Sequence, residues 1–377
     1  MREHLAKECK IIKFITFNNV KVFESANQQT MIFFIQKEKQ NFDYFIDYKE
    51  VGNITLNLKE LNQFLNGKKI GKSYLSKYNP KTNIDGRTIQ FLDVSIGNII
   101  DKIQEVDCFY LEKDEILNGI HPHHAEVTKK MLSILPNAKI GDGIFILSSS
   151  EIESLNLDDK EMTLLHPYYD SRNIGRYYFN PITDKQIIYT TSVFKDVKLM
   201  DDYPKIKNHL DYYKDVITSD NKPYGLHRAR KQDFFESPTI ISLRKCTYPQ
   251  FSYVEKPAYV TAEWYLIKTN RISMKYLTCL LNSTLIKFWL LKMGKMQGNI
   301  YQIDKKPLLD IPILKPNKHL EKILDDCCDK IYEIRFNNKE ADISKIEERI
   351  DQLIYQSYGL DEDDIKKIKS IIMEWNL

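Results

Sequence analysis

The stretch that decides the reading is "GLHRARKQDFFESPTIISLRKC", Gly225–Cys246. It sets His227, Arg228, Arg230 and Lys231 within five residues. After Pro238 come Thr239, Ile240 and Ile241, and then Arg244-Lys245. β-Branched side chains favour the extended chain, so 238–244 reads as a strand. A cationic set then stands at each of its opposite ends. A six-residue strand spans about 20 Å at ~3.3 Å per residue. That length suits two phosphate contacts across a groove and one compact site equally.

The charge around this stretch is not spread evenly. From Lys222 to Lys306 there are 15 Lys and Arg against 5 Asp and Glu, leaving 40 against 47 elsewhere, although the whole chain carries only +3. Segregated positive charge points to a polyanionic partner, whereas a scattered surplus would be a solvated surface. At 377 residues with a hydrophobic fraction of 42%, the chain has length for two or three domains and material for a sizeable core. No apolar run reaches the ~18 residues of a membrane span. The first ten residues, "MREHLAKECK", lack the apolar stretch of a signal peptide. Six cysteines without CxxC spacing suggest reduced thiols and a cytoplasmic setting.

Outward from the central stretch, the elements alternate in type. "CKIIKFITF" and "QQTMIFFIQK" read as two strands after a short helix, joined by the polar loop "NNVKVFESANQ". Two strands cannot bury such apolar faces alone, so this segment looks like the edge of a larger sheet. A weak strand at 48–57, a helix from Leu58 stopped by Gly67, and a second helix after a strand or loop at 88–93 follow. Apolar spacing predicts a helix over 126–135, and a strand over 138–147 is broken by Gly141-Asp142-Gly143. Residues 203–214 form a helix with Pro204 in its first turn. "QFSYVEKPAYVTAEWYLIK" reads as a strand pair, and "SMKYLTCLLNSTLIKFWLLKMG" as one apolar helix. Beyond Pro316 the chain is helical, with Gly359 ending one helix and Asp361 capping the next.

Most catalytic chemistry finds no support. Gly141-Asp142-Gly143 is the only GxG and lacks the third glycine of a dinucleotide fingerprint. There is no GxxxxGK[ST], HExxH or GxSxG. His121, His123, His124 and Glu126 form the most metal-like cluster. Metal sites usually draw ligands from separated elements, so a solvated loop is the preferred reading and no metal is assigned. No carboxylate pair stands out for acid–base work.

The positive signal is for nucleic acid. Lysine and arginine meet phosphates, while amides can make bidentate contact with adenine. "KMGKMQGNIYQIDKK" sets Lys295, Gln297, Asn299, Tyr301 and Gln302 on a glycine-containing loop. Asn and Gln beside a helix end can equally be turn formers.

The order "GDGIFIL", "HPYYDSRNIGRYYF", "IIYTTSVF", "YPKIKNHLDYYK", "LHRARKQDFFESPTIISLRK", "YLTCLLNSTLIKFWL", "GNIYQI", "LLDIPI" resembles the target-recognition half of TaqI-like adenine-N6 DNA methyltransferases, the fused type IIG restriction–modification enzymes included. "IDQLIYQSYGLDEDDIKKI" is similar to their C-terminal helices, and residues 10–39 look like the last strands of their catalytic domain. The family's Asn/Asp-Pro-Pro-Tyr/Phe motif is not here, since the chain has no Pro-Pro pair, and neither is its glycine-rich S-adenosylmethionine loop.

The resemblance implies an α+β fold with three parts. A methyltransferase sheet remnant is expected at 1–45, a mixed target-recognition domain at 46–315 and a helical segment at 316–377. It implies sequence-specific recognition of double-stranded DNA as the specificity part of a restriction–modification methyltransferase. It implies no catalysis by this chain alone, and a catalytic domain or subunit holding S-adenosylmethionine as partner. The expected DNA contacts are His227, Arg228, Arg230, Lys231, Arg244 and Lys245, then Lys295, Gln297, Asn299, Tyr301 and Gln302. The family pattern adds Lys139. The competing readings are a protein-interaction subunit whose basic segment is incidental, and an enzyme with an unrecognised site near His121–Glu126.

Overall fold

The computed structural model describes residues 4–375, apart from 6–7, 18–19, 21, 24, 26–29, 52–55, 69–71, 79–90 and 237. The short helix expected at the start, the loop expected at 18–28 and the beginning of the extended run expected at 88–93 fall largely outside the described residues. No helix among those described is long and apolar enough to cross a membrane.

The chain divides into two compact units, Met1–Glu105 and Val106–Leu377. The sequence reading drew its boundaries near residues 45 and 315 instead. The first unit is built on a four-stranded sheet of β1 (Lys10–Thr16), β2 (Met31–Gln36), β3 (Tyr44–Glu50) and β4 (Lys72–Tyr78), in the order β2-β1-β3-β4. The first two strands pair antiparallel, as their apolar runs suggested, while β1 and β3 run parallel. Strand β3 lies earlier than the run expected at 48–57. Helix α1 (Leu58–Leu65) is closed by a capping box between Asn57 and Glu60, and Gly67 leaves it at φ +96°. Helix α2 (Val94–Glu105) buries Ile99, Ile100 and Ile103. The core is small: Ile15, Phe17, Val51 and Phe64 form one buried cluster, and Ile11, Ile46 and Tyr78 another.

The second unit begins with β5 (Cys108–Phe109) and β6 (Ile116–Asn118). The helix expected at 126–135 is a five-residue 3-10 helix, Lys129–Ser133. The strand expected at 138–147 shortens to β7 (Ile146–Ser148). Gly141, at φ +92°, turns the chain before it. Helices α3 (Ser149–Leu155) and α4 (Asp159–Met162) precede β8 (Leu165–Pro167), β9 (Ile174–Gly175), β10 (Tyr178–Phe179) and β11 (Lys185–Ile188). Strands β7, β11 and β8 form one sheet, and β9 and β10 a hairpin. Helix α5 (Pro204–Tyr212) carries Pro at its first position.

Strand β12 (Thr239–Leu243) is central, and its first four residues are buried. Strand β13 (Lys245–Cys246) follows it at once, then β14 (Phe251–Val254) and β15 (Trp264–Ile267). The sheet order is β14-β12-β15-β6. The expected strand pair is therefore split, because β14 and β15 each pair with β12 from opposite sides. The expected single apolar helix is also two, α6 (Met274–Asn282) and α7 (Thr284–Met293). Ser283 between them is extended, at ψ 156°, and its hydroxyl accepts from Ile286 N–H at 3.2 Å. It thereby starts a new helix rather than continuing the first.

Strands β16 (Met296–Gln297) and β17 (Ile300–Gln302), helix α8 (Lys305–Leu309) and strand β18 (Ile313–Leu314) lead to three terminal helices. These are α9 (Lys318–Asn337), α10 (Ser344–Ser357) and α11 (Glu362–Trp375). Gly359 at φ +65° ends α10, and Asp361 accepts from Asp364 N–H at 2.9 Å, as its capping position requires. The main core gathers Ile144–Leu147, Ile187, Ile188, Phe235, Ile241, Val254, Tyr259 and Leu266 from both sheets. Helices and mixed strands without a closed barrel make the fold α+β.

Candidate nucleic-acid interface

Strand direction places the cations. In the ladder Tyr265 pairs with both Ser242 and Asn118, so β6 and β12 run the same way with β15 reversed between them. The end of β6 at Asn118 thus lies beside the end of β12 at Leu243. Arg230 reaches this end: its Nε donates to Gly119 O at 3.2 Å and Nη2 to Asn118 Oδ1 at 3.4 Å. Arg244 leaves β12 there too, and its N–H donates to Glu263 O at 2.8 Å. The two cationic sets do not bracket the strand at opposite ends, as the sequence suggested. The 3-10 turn at Gln232–Phe234 lies instead by the start of β12, where Lys268, next to the β15 residue that pairs with Ile240, donates from Nζ to Asp233 O at 2.6 Å. Both sets therefore converge on one end.

A short sheet in the order β13-β17-β16 extends this end. Lys245 pairs with Gln302, and Gln297 with Ile300, around a two-residue turn at Gly298-Asn299. Gly298 takes φ +59° there, a conformation a hairpin turn favours and glycine adopts without penalty. Gln297 and Asn299 are exposed at the tip, and Gln302 Nε2 donates to Gln297 Oε1 at 2.6 Å. Asp304 binds the two parts together: Arg244 Nε lies 2.6 Å from its Oδ1 and Lys295 Nζ 3.4 Å from its Oδ2. The expected second set thus adjoins Arg244 and Lys245.

The remaining members follow the other way. His121 and Arg228 exchange both backbone hydrogen bonds at 3.0 Å. His227 Nδ1 stands 3.5 Å from Asp220 Oδ2. Arg228, Lys231 and Lys245 are exposed and, among the described residues, their side chains make no ion pair. The interface is crowded with like charge. Burial first, then the Arg228 cation, hold the Arg230 guanidinium below its ordinary pKa, with the Tyr265 phenol opposing them. Burial, then Lys113 and more weakly Arg230, lower the Lys305 ammonium. The hydrogen bond to Asp304 raises Arg244, and Tyr265 contributes again. Arg230 also adopts φ +74° and accepts from the Tyr189 hydroxyl at 3.0 Å through its carbonyl. A non-glycine residue held there is the kind of outlier that gathers at functional sites.

Two expected contacts are misplaced. Tyr301 is 1% exposed, with its ring against Trp375, because the face of β17 it occupies is covered by α11. It is a core residue. Lys139 is exposed on a separate turn, where Gly141 N–H donates to Val127 O at 2.9 Å and Gly143 N–H to the Glu151 carboxylate at 2.7 Å. Sequence reasoning missed Asn118, Gly119, Tyr265 and Asp304. Gly119 has a legible reason only in three dimensions, since a Cβ there would come within 2.2 Å of Thr261 O. Among the described residues no His, Cys, Asp and Glu group is placed to hold a metal ion.

Known proteins share much of this pattern. Residues 166–313 match the family model of the TaqI-like C-terminal specificity domain. The match spans β8 to β18 and so takes in β12, the hairpin and nearly all of the basic strip. The chain is 20% identical over 362 residues to the type II methyltransferase M.HincII of Haemophilus influenzae, an alignment covering 91% of this chain and 65% of that protein. It is 21% identical over 365 residues to the type II methyltransferase M.HindII of Haemophilus influenzae (strain ATCC 51907 / DSM 11121 / KW20 / Rd), covering 91% and 66%. The chain thus spans about two thirds of the length of these relatives. Among solved structures, the type IIL restriction–modification enzyme MmeI, determined in complex with DNA, superposes with a TM-score of 0.53. That comparison has 12% identity and covers 100% of this chain and 48% of that one. The resemblance drawn from the sequence, to the specificity region of TaqI-like restriction–modification methyltransferases, is borne out.

Proposed function

We propose that this chain recognises double-stranded DNA in a sequence-specific way, as the specificity part of an adenine-N6 DNA methyltransferase or restriction–modification enzyme. The observation that carries the reading is the convergence of Arg228, Arg230, Arg244, Lys245 and Lys295 on one end of the β12 sheet. A strip of like charge costs free energy in isolation and is relieved by a polyanion. Phosphate contacts from Arg228, Lys231, Arg244, Lys245 and Lys295 would fix the register of the duplex, and Gln297, Asn299 and Gln302 would meet base edges. The chain performs neither methyl transfer nor cleavage alone. A catalytic domain, carrying S-adenosylmethionine, would receive an adenine swung out of the stack. Edge strand β2 supports docking of that domain: Met31, Phe34 and Ile35 are 53%, 52% and 44% exposed there. The same surface favours the second reading, a protein-interaction subunit whose basic strip is incidental.

A salt series separates the two. Four to six phosphate contacts give a slope of roughly −4 to −5 in log K against log salt, so affinity falls about 10²- to 10³-fold between ~50 and ~200 mM. A fall of less than about tenfold over that range refutes the DNA reading and leaves the interaction subunit.

A further inference from the structure

Four of the protein's eight histidines gather at the end of the basic strip away from the hairpin. His121, His123 and His124 come from the loop after β6, and His227 from the segment that supplies Arg228. Ring centroids lie 5.3 Å apart for His121–His227, 5.4 Å for His123–His227, 5.9 Å for His121–His123 and 4.6 Å for His123–His124. The loop is held in place. His121 is bridged to Arg228 through the backbone, His123 sits at φ +76°, and the Thr218 hydroxyl pairs with both His123 Nδ1 and His124 Nε2. His121 and His123 are exposed, while His124 and His227 are half-buried.

We propose that His121, His123, His124 and His227, with Arg228, form a proton-gated contact for a backbone phosphodiester of DNA. The proposal rests on the DNA reading above and adds to it a set of contacts and a control. A fixed cation, Arg228, stands beside imidazoles, a side chain that can take up a proton when an oxyanion arrives. Arg228 and Arg230 face the cluster as positive charges, and Asp220 faces His227 as the negative one. The next carboxylate along the loop, Glu126, is held by Lys185 at 2.8 Å. Burial, then the neighbouring His227 and His123, then Arg228 and Arg230, hold His121 below the usual imidazole value. Burial, then His123 and His121, do the same for His124. Without a phosphate His121 and His124 therefore resist protonation. A phosphodiester opposes that repulsion, so by reciprocity DNA raises proton affinity and protons raise DNA affinity. The Nδ1 of His227 also accepts from Asp220 N–H at 3.4 Å, an arrangement that must give way if Nδ1 is protonated and turns to the carboxylate.

The test uses the full chain, a mixed-sequence duplex, constant ionic strength and a metal chelator. Duplex affinity is measured by fluorescence anisotropy from pH 7.5 to 6.0. Each proton taken up on binding tightens it by up to about tenfold per pH unit. The wild type is expected to gain at least about threefold per pH unit. The H121Q/H123Q variant should lose most of the pH dependence. The single His123→Gln variant, at an exposed position, carries the test if the double variant melts early. Equal pH slopes in wild type and variants, with DNA still bound, overturn the proton-gated contact and leave the DNA reading standing. No duplex binding at any pH or salt overturns the DNA reading, and this proposal with it. Affinity that weakens on acidification and returns when zinc replaces the chelator overturns the proposal in favour of a metal-held loop.

Discussion

Asp304 offers the sharpest perturbation of the basic strip, because one carboxylate lies between two of its cations. Its oxygens hold Arg244 Nε at 2.6 Å and Lys295 Nζ at 3.4 Å, so the three groups together carry a single net positive charge. The side chains of Arg244 and Lys295 are 44% and 60% exposed, and pairs of that kind contribute less than ~1 kcal/mol to folding. Asp304→Asn should therefore fold normally. A phosphate taken up by Arg244 would sit about 6 Å from the carboxylate, where repulsion in a water-like medium is about 0.7 kcal/mol. Removing the charge should tighten duplex binding about threefold at ~50 mM salt. It frees one more cation for phosphate, so the salt line should steepen by about 0.9. The gain then disappears near ~200 mM. Anisotropy titrations of wild type and Asp304→Asn across that range, with thermal melts alongside, make the measurement. Unchanged or weaker binding at low salt, with an unaltered melt, refutes the reasoning, because Asp304 would then be an organiser of the site and not a competitor for its cations.

Other perturbations act on different parts of the interface. Arg228→Ala and Lys245→Ala remove exposed cations, and each should weaken binding to all duplexes alike and flatten the salt slope by about one, while the melting temperature moves by no more than ~2 °C. Gln297→Ala and Asn299→Ala act at the hairpin tip and should change which sequences survive a binding selection, with the salt slope unchanged. Lys287 is buried at 3% exposure, its ammonium lies 3.6 Å from the centroid of the Tyr248 ring, and burial followed by Arg176 lowers its pKa to about 8. Below that value the folded state carries a buried charge. Above it the unfolded chain, at the ordinary 10.5, binds more protons, so stability should rise with pH from about 8 to 9.5. Lys287→Met should lack that rise in denaturant melts.

The sequence disclosed elements better than their meeting. Thr239 to Ile241 predicted a strand because β-branched side chains stiffen the extended chain, and Pro204 and Gly359 marked helix ends through fixed φ and positive φ. Ser283 was read as one more residue of a long helix, yet its hydroxyl competes for a backbone N–H and splits α6 from α7. The convergence of Arg230 with Arg244 could not be read at all. It depends on β6 pairing with β15 across about 150 residues of chain, and only that ladder sets which end of β12 lies beside Asn118. Tyr301 was misjudged for the same kind of reason. Its neighbours Gln297 and Asn299 are exposed, but strand alternation in β17 turns Tyr301 inward, where Trp375 from the last helix meets it.

The placement of Arg230 links fold to function most directly. Its guanidinium is half-buried, its backbone occupies the left-handed region, and the Arg228 cation adds to burial in lowering its pKa. Each of these raises the free energy of the isolated protein. Stability alone would favour a neutral side chain at that position, since hydrogen bonds to Gly119 O and Asn118 Oδ1 do not require a full charge. A charge kept there at a cost is best explained by something that binds and relieves it. Lys305, lowered partly by the same Arg230, carries a share of the same cost. Arg230 and Arg244 are thus held at the end of the β6–β15–β12 ladder before any duplex arrives. On the DNA reading proposed above, little freedom is then lost on binding, and base discrimination would fall to the exposed hairpin tip at Gln297–Asn299.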